Sequence, residues 1–416
     1  MDENNKDKEF SFIREKIKNK PINKRQLLLK TLWVTFCGAL FGLAACFVFV
    51  MVKPRLEQLI EPEPDAVLLP KDDEPEPDPE PEEPVYVTPE LTASDYQGLL
   101  NKLYAVGKKG NRSVVTVTGV TSSVDWFDSA YEKEDQASGI IIANNGQELL
   151  ILTEKKVIAN AEAIHITFIN EDVVPATLKK YDGNTGIAII SVALSDISAE
   201  TMSKIDVITL GNSLTVNQGT VVIAIGSPLG ANYSVLTGTV TSSGNTVSTW
   251  DSTYKLFTTD IIGSASGSGV LINLQGEVVA IVMQGYSSEG DQNTITALSV
   301  SQLKTVIENL SNGKDIPYLG LKGSTVTTGI QEKYGLPKGV YIKNVETNLP
   351  SPAMNAGLQE GDVIVAMNGK TILTMDEYTQ TLLEMNPGQQ VKLKVMRQNG
   401  EAYAELECSA TVGVLP

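Results

Sequence analysis

Histidine is almost missing from this chain, with His165 the only one in 416 residues. Any chemistry that needs an imidazole therefore rests on that single position. It lies in Ala163-Ile164-His165-Ile166-Thr167-Phe168, where apolar and polar residues alternate as in a half-buried strand. That pattern reads as a solvent-facing strand residue rather than a general base. Cysteine is scarce as well. Cys37, Cys46 and Cys408 are the three, and no two of them can staple the body of the chain. Its stability must come from packing, which an apolar fraction of 42% supports. Basic charge is short too: 33 Lys and Arg face 50 Asp and Glu, for a net charge of -17. Without a basic stripe and interleaved aromatics, a nucleic-acid partner is excluded. No metal or cofactor is expected, since no ligand cluster stands out.

The charge that is present is unevenly spread. Residues 1–30 hold nine basic and five acidic side chains, whereas residues 57–90 hold thirteen acids and the single Lys71. Between them runs Thr31 to Val52, 22 residues without a charge. At about 1.5 Å per residue, that run spans a hydrocarbon layer of roughly 30 Å. The preceding Lys24, Arg25 and Lys30 place the amino terminus in the cytoplasm and the bulk of the chain outside it. The expected organisation is a basic cytoplasmic arm (1–30), a transmembrane helix (31–52) and an acidic proline-rich linker (53–90). Leu43-Ala44-Ala45-Cys46 has the form of a lipidation box, but six further apolar residues follow Cys46 and argue for a plain anchor. In the linker, DDEPEPDPEPEEP alternates acids with prolines, which favours an extended polyproline II rod. About 35 residues at about 3.1 Å each make a spacer on the order of 100 Å.

Beyond the linker the pattern changes twice. Leu91 to Val106 has helical spacing, with Leu99, Leu100, Leu103 and Val106 on one face. Short strands then follow at Ser113–Thr118, Gly139–Ala143, Leu149–Thr153, Ile164–Phe168, Ile187–Val192, Val221–Ile225, Val235–Thr241, Gly269–Ile272, Glu277–Val282 and Thr294–Leu298. Strands at this density, punctuated by glycine, predict a β-sandwich or a pair of barrels. Val300 to Leu310 restores helical spacing and closes this part. The last hundred residues predict a small mixed domain. It has a short helix at Ser351–Leu358, a turn, strand and hairpin over Glu360–Gly369, a helix from Asp376 to Met385 capped by Asp376, and paired strands Val391–Arg397 and Ala402–Cys408.

Three stretches carry a resemblance: Gly139 to Thr153, the run Val221-Val222-Ile223-Ala224-Ile225-Gly226-Ser227-Pro228-Leu229-Gly230, and Gly276 to Ile281. Together with Ser351–Gly369, they make the chain from Leu91 onward resemble the membrane-anchored HtrA (DegP-like) serine proteases. The resemblance implies a mainly β fold: a chymotrypsin-like double β-barrel over 91–313, then a PDZ domain of strands and two helices over 314–412. It also implies a trimer built through the barrels.

The catalytic positions of that family are altered here. Where the family reads L-T-N-x-H-V-I, this chain reads Leu152-Thr153-Glu154-Lys155-Lys156-Val157-Ile158, so Lys156 takes the histidine position. Where the family reads D-x-x-T-D-L-A, this chain reads Asp182-Gly183-Asn184-Thr185-Gly186-Ile187-Ala188, so Gly186 takes the aspartate position. The nucleophile loop, Thr259 to Leu271, is one residue shorter than the family pattern. Counting from Asp260 puts Ser268 at the nucleophile position, with Ser266 the alternative if the gap falls earlier. Ser266 also replaces the glycine that helps form the oxyanion hole. Loss of the triad histidine alone costs on the order of 10⁶ in kcat. The remaining chemical route is a Ser–Lys dyad of Ser268 and Lys156, which requires a desolvated lysine.

Tyr318-Leu319-Gly320-Leu321 resembles the loop whose backbone N–H groups hold a peptide's terminal carboxylate. PDZ domains add such a peptide as a strand to their own edge. The leading expectation is a membrane-tethered, extracytoplasmic HtrA-like pseudoprotease that binds peptides or unfolded proteins with apolar carboxyl termini. It would assemble as a homotrimer, or as a mixed trimer with an active paralogue that it regulates. An active quality-control endopeptidase using Ser268 with Lys156, and a trimeric scaffold, are the alternatives.

Overall fold

The computed structural model describes residues 33, 39, 66, 68–69, 92–124, 130–288, 293–400 and 402–416. Two compact units divide the chain at residue 63, and every element named below lies in the second. Among the described residues no helix is long and apolar enough to cross a membrane. The expected anchor at 31–52, the linker at 53–90 and Cys46 lie almost wholly outside the described residues.

The strands close into two six-stranded antiparallel barrels. Helix α1 (Ala93–Gly110) opens the domain, held by a reciprocal capping box between Thr92 and Asp95. Leu103 and Val106 pack on the core as the helical spacing predicts. Leu99 does not: it is exposed beside Tyr96 and Tyr104. The first barrel comprises β1 (Val114–Val124), β2 (Ala130–Asn144), β3 (Glu148–Glu154), β4 (Ala163–Thr167), β5 (Val173–Tyr181) and β6 (Ile187–Ala193), with the one-turn helix α2 (Lys155–Ile158) after β3. A further short helix, α3 (Ala199–Lys204), leads toward the second barrel. That barrel comprises β7 (Val221–Ser227), β8 (Ser234–Thr249), β9 (Ser252–Ile262), β10 (Ser268–Ile272), β11 (Val278–Val282) and β12 (Thr294–Ser299).

The apolar runs are continuous because several strands are buried on both faces. In β3, Leu149 and Ile151 point into the first barrel, whereas Leu150 and Leu152 point into the seam between barrels. In β7, Val222 and Ala224 fill the second barrel while Ile223 and Ile225 join the same seam. A period of two puts successive side chains on opposite faces, so both must be apolar when both are covered. His165 sits in β4 opposite Thr118 and Pro175, half-buried, in the strand setting its alternating neighbours predict.

Helix α4 (Lys304–Ser311) closes the barrels. After it come β13 (Pro317–Tyr318), β14 (Leu321–Thr325), α5 (Thr328–Tyr334), β15 (Val340–Val345), α6 (Pro352–Asn355), β16 (Val363–Met367), β17 (Lys370–Thr371), α7 (Met375–Leu383), β18 (Gln390–Asn399), β19 (Ala402–Thr411) and β20 (Gly413–Val414). The sheet runs β14-β15-β16-β18-β19, with β17 paired to β16, and its own core centres on Leu321, Ile342, Ile364, Tyr378, Leu382 and Leu393. The cap of α7 is Thr374, whose hydroxyl accepts from the Glu377 N–H, and not the expected Asp376. Asp376 instead accepts from Gln302 Nε2, and Thr305 bonds Gln380, so this helix is docked against the barrel domain.

Candidate functional site

The positions that the resemblance assigns to catalysis lie at the ends of β3, β6 and β10. Glu154 ends β3, and helix α2 carries Lys155 and Lys156. The Lys156 ammonium lies 2.6 Å from Glu154 Oε2 and is about half exposed. Lys155 lies over the Tyr181 ring, 3.6 Å from its centroid. Burial pushes the Glu154 carboxyl above its ordinary value, outweighing the nearby lysine that pulls it down. Among the described residues Lys156 hydrogen-bonds to no serine.

Gly186 occupies a left-handed backbone conformation, with φ of 77°. Its N–H donates to the Asp182 carbonyl, and its own carbonyl accepts from the Lys155 N–H at 2.7 Å. Asp182 is buried and turned inward, accepting from the N–H groups of Asn184 and Thr185 and from the Thr185 hydroxyl. At Gly186 the loop thus presents backbone and no side chain.

Ser268 begins β10 opposite Ser227, and only 2% of it is exposed. Its Oγ accepts the backbone N–H of Ser138 across the barrel seam at 2.9 Å. Ser266 lies at the exposed turn before it, 3.0 Å from the hydroxyl of Ser264. That turn is folded on itself: the Gly267 N–H donates to the Ser264 carbonyl and the Ser266 N–H to Ser264 Oγ. The structure does not bring Lys156, Gly186 and either serine into a hydrogen-bonded relay. No group of three His, Cys, Asp or Glu able to hold a metal occurs among the described residues.

The four residues Tyr318 to Leu321 behave otherwise. The N–H groups of Leu319, Gly320 and Leu321 converge on one carboxylate, at 2.8, 2.8 and 3.3 Å. Gly320 makes the convergence possible. Its φ is 89°, and a Cβ there would stand 2.7 Å from both Ser351 and the Tyr318 side chain. The carboxylate is that of Asp251, about 70 residues upstream at the tip of the β8–β9 hairpin. Tyr378 Oη donates to it at 2.7 Å from helix α7, and Thr379 Oγ1 donates to the Asp251 carbonyl at 2.8 Å. Sequence reasoning singles out Tyr318–Leu321 and misses Asp251, Tyr378 and Thr379. A Trp-Asp pair between polar residues reads as an ordinary turn, and nothing local signals its distant partner.

Residues 137–281 match the trypsin-like peptidase domain, and residues 317–408 match the PDZ domain. A probable periplasmic serine endoprotease, DegP-like, of Hahella chejuensis is 30% identical over 290 residues, covering 68% of this chain and 58% of that protein. The serine protease Do-like HtrB of Bacillus subtilis is 31% identical over 280 residues, covering 63% of this chain and 59% of that protein. The chain therefore spans a little over half the length of these curated relatives. Among solved structures, the HtrA-type protease AlgW with decapeptide superimposes with a TM-score of 0.55 at 20% identity, over 76% of this chain and 99% of that one. A serine endoprotease from Yersinia pestis does so with a TM-score of 0.51 at 23% identity, over 76% and 98%. At these identities the structural likeness concerns the fold. The fold and the matches define a trypsin-type serine-protease double barrel carrying a PDZ domain. Within that class the chain belongs to the HtrA/DegP-like family.

Proposed function

We propose that this chain is a membrane-tethered, extracytoplasmic HtrA-like pseudoprotease that binds peptides or unfolded proteins through its PDZ domain. The basic arm at 1–30, the anchor at 31–52 and the acidic spacer at 53–90 would hold the barrels (91–313) and the PDZ domain (314–412) away from the membrane. Assembly as a homotrimer, or with an active paralogue that it regulates, belongs to the same proposal. One observation carries the loss of proteolysis: the Lys156 ammonium is engaged by Glu154, and among the described residues it hydrogen-bonds to no serine. Two others support it. Ser268 is buried with its Oγ already accepting a backbone N–H, and the N–H groups of Ser266 and Gly267 are spent inside their own turn. A hole for a developing oxyanion needs such donors free and convergent.

A fluorophosphonate probe on the full chain, beside casein digestion, tests the reading. The expected result is no labelling of Ser268 or Ser266 and no cleavage. Labelling or cleavage that disappears on Ser268→Ala or Ser266→Ala overturns it. For the PDZ domain, the expected ligand is a free, apolar carboxyl terminus bound at about micromolar affinity, or roughly -8 kcal/mol. Strand addition beside β14 would supply the main-chain bonds. Amidating the peptide's last residue removes the charge that Leu319, Gly320 and Leu321 meet, and should weaken binding about tenfold or more.

A further inference from the structure

The hairpin tip that reaches the PDZ loop copies a peptide end in several respects. Thr249 pairs with Ser252, leaving Trp250 and Asp251 as a two-residue turn. Asp251 has a left-handed φ of 58°, which Asp tolerates better than most residues. Its N–H donates to the Leu321 carbonyl at 2.7 Å, a bond of the kind an added strand makes to β14. Its carboxylate accepts from three loop N–H groups, as a terminal carboxylate would. The Tyr378 hydroxyl and the Thr379 hydroxyl hold it from helix α7. Beside it, Lys322 of β14 lies over the Trp250 ring, 4.6 Å from its centroid.

We infer that Asp251 is a built-in competitor for the PDZ carboxylate seat, so that an external carboxyl terminus binds only when the tip of the β8–β9 hairpin withdraws. This rests on the peptide-binding reading of the PDZ domain given above. The exchange replaces like with like: one carboxylate leaves the three N–H groups and another takes them. It also releases a cost. Asp251 is buried, and desolvation pushes its carboxyl above the ordinary range against the hydrogen bonds that pull it down. On leaving the seat the group is rehydrated. A tethered occupant acts at a high effective concentration, so the apparent affinity for a free ligand falls by the fraction of time the seat is open.

The test uses the full chain and a pool of fluorescein-labelled decapeptides. Their last three residues are drawn from Ala, Val, Leu and Phe, with free or amidated carboxyl ends. Asp251→Ala should bind the free-ended pool about tenfold or more tightly than the unsubstituted chain, and the amidated pool no better. Asp251→Asn, which keeps the side-chain shape, should fall between. In the unsubstituted chain, saturating free-ended pool should shift the Trp250 emission, read as the difference from Trp250→Phe, as the indole leaves Lys322. If circular dichroism shows that both Asp251 variants are misfolded, the Trp250 shift decides, and its absence overturns the proposal. Equal affinity in the unsubstituted chain and a folded Asp251→Ala overturns the proposal while leaving the PDZ reading intact. Binding by neither overturns both, and Asp251 is then a fixed anchor between the domains.

Discussion

The turn before Ser268, where the family resemblance places the nucleophile, and the Tyr318–Leu321 loop both carry backbone donors on tight turns, yet they spend those donors in opposite ways. The first, from Ser264 to Gly267, closes on its own Ser264, and Ser268 faces a buried seam. In the second, Leu319, Gly320 and Leu321 aim three N–H groups at one point, and a side chain from elsewhere supplies the carboxylate. A site stays usable when its donors are not satisfied by their own loop. The two regions are joined at the hairpin tip. The Trp250 carbonyl accepts from Asn184, in the loop that carries Gly186, while the next residue fills the PDZ seat.

The largest expected effect would break this contrast. If the cleft lacks only side chains, then Lys156→His with Gly186→Asp should restore activity approaching an intact triad. If its backbone donors are also spent, as their bonds to Ser264 indicate, the double variant should stay near the level of a triad lacking its key member, about 10⁶ below in kcat. Gly186 adds its own obstacle. At a φ of 77° a non-glycine residue is strained, even though space for the side chain exists. Casein turnover by the purified double variant is the measurement, and robust turnover would show that the Ser264–Gly267 turn can reopen.

The next two effects sharpen the comparison through stability. Tyr378→Phe deletes a buried hydroxyl that donates to the Asp251 carboxylate, and hydrogen bonds to charged groups contribute about 1.5–3 kcal/mol. A urea-denaturation loss in that range, together with easier peptide entry, is expected. No loss would mean that the Asp251 carboxylate is satisfied by the loop alone. Ser268→Ala strands the buried Ser138 N–H and should cost about 1–3 kcal/mol. A nucleophile held at an exposed turn would show no such cost, so an unchanged denaturation midpoint would return Ser268 to the cleft.

Much of the fold is legible along the chain because both faces of β3, β6 and β7 are covered, leaving unbroken apolar runs that announce strands. Strand β9 is hidden for the converse reason. Its outward residues, among them Thr253, Lys255 and Asp260, interrupt the apolar ones, and its end merges with the nucleophile-loop pattern. Strand β5 is masked by Pro175, which pairs with His165 inside the ladder. Lys156 and Gly186 are singled out as the expected catalytic positions because a motif fixes their spacing. The seat is half legible: Tyr318–Leu321 is local, whereas Asp251 and Tyr378 meet it only through the packing of three distant segments. The Asp376 cap fails because Thr374, two residues earlier, offers the hydroxyl at the right turn.

The smallest expected effect concerns Glu154, and it decides what Lys156 is for. The Glu154 carboxyl is raised chiefly by burial, with the lysine lowering it only in part, and among the described residues its Oε1 has no hydrogen-bond partner. A carboxyl raised in the folded state binds more protons folded than unfolded over the range between its two pKa values. Stability is therefore highest below the unfolded value and falls as pH rises through the folded one. Glu154→Gln removes that titration, so the variant should gain on the unsubstituted chain as pH rises from about 4 to about 7, by less than about 1 kcal/mol because Lys156 is half exposed. Paired urea titrations at the two pH values measure the difference. The opposite slope would mean that the ion pair outweighs the burial. Lys156 would then be held as a charged, structural partner, which is the state least able to serve a serine as base.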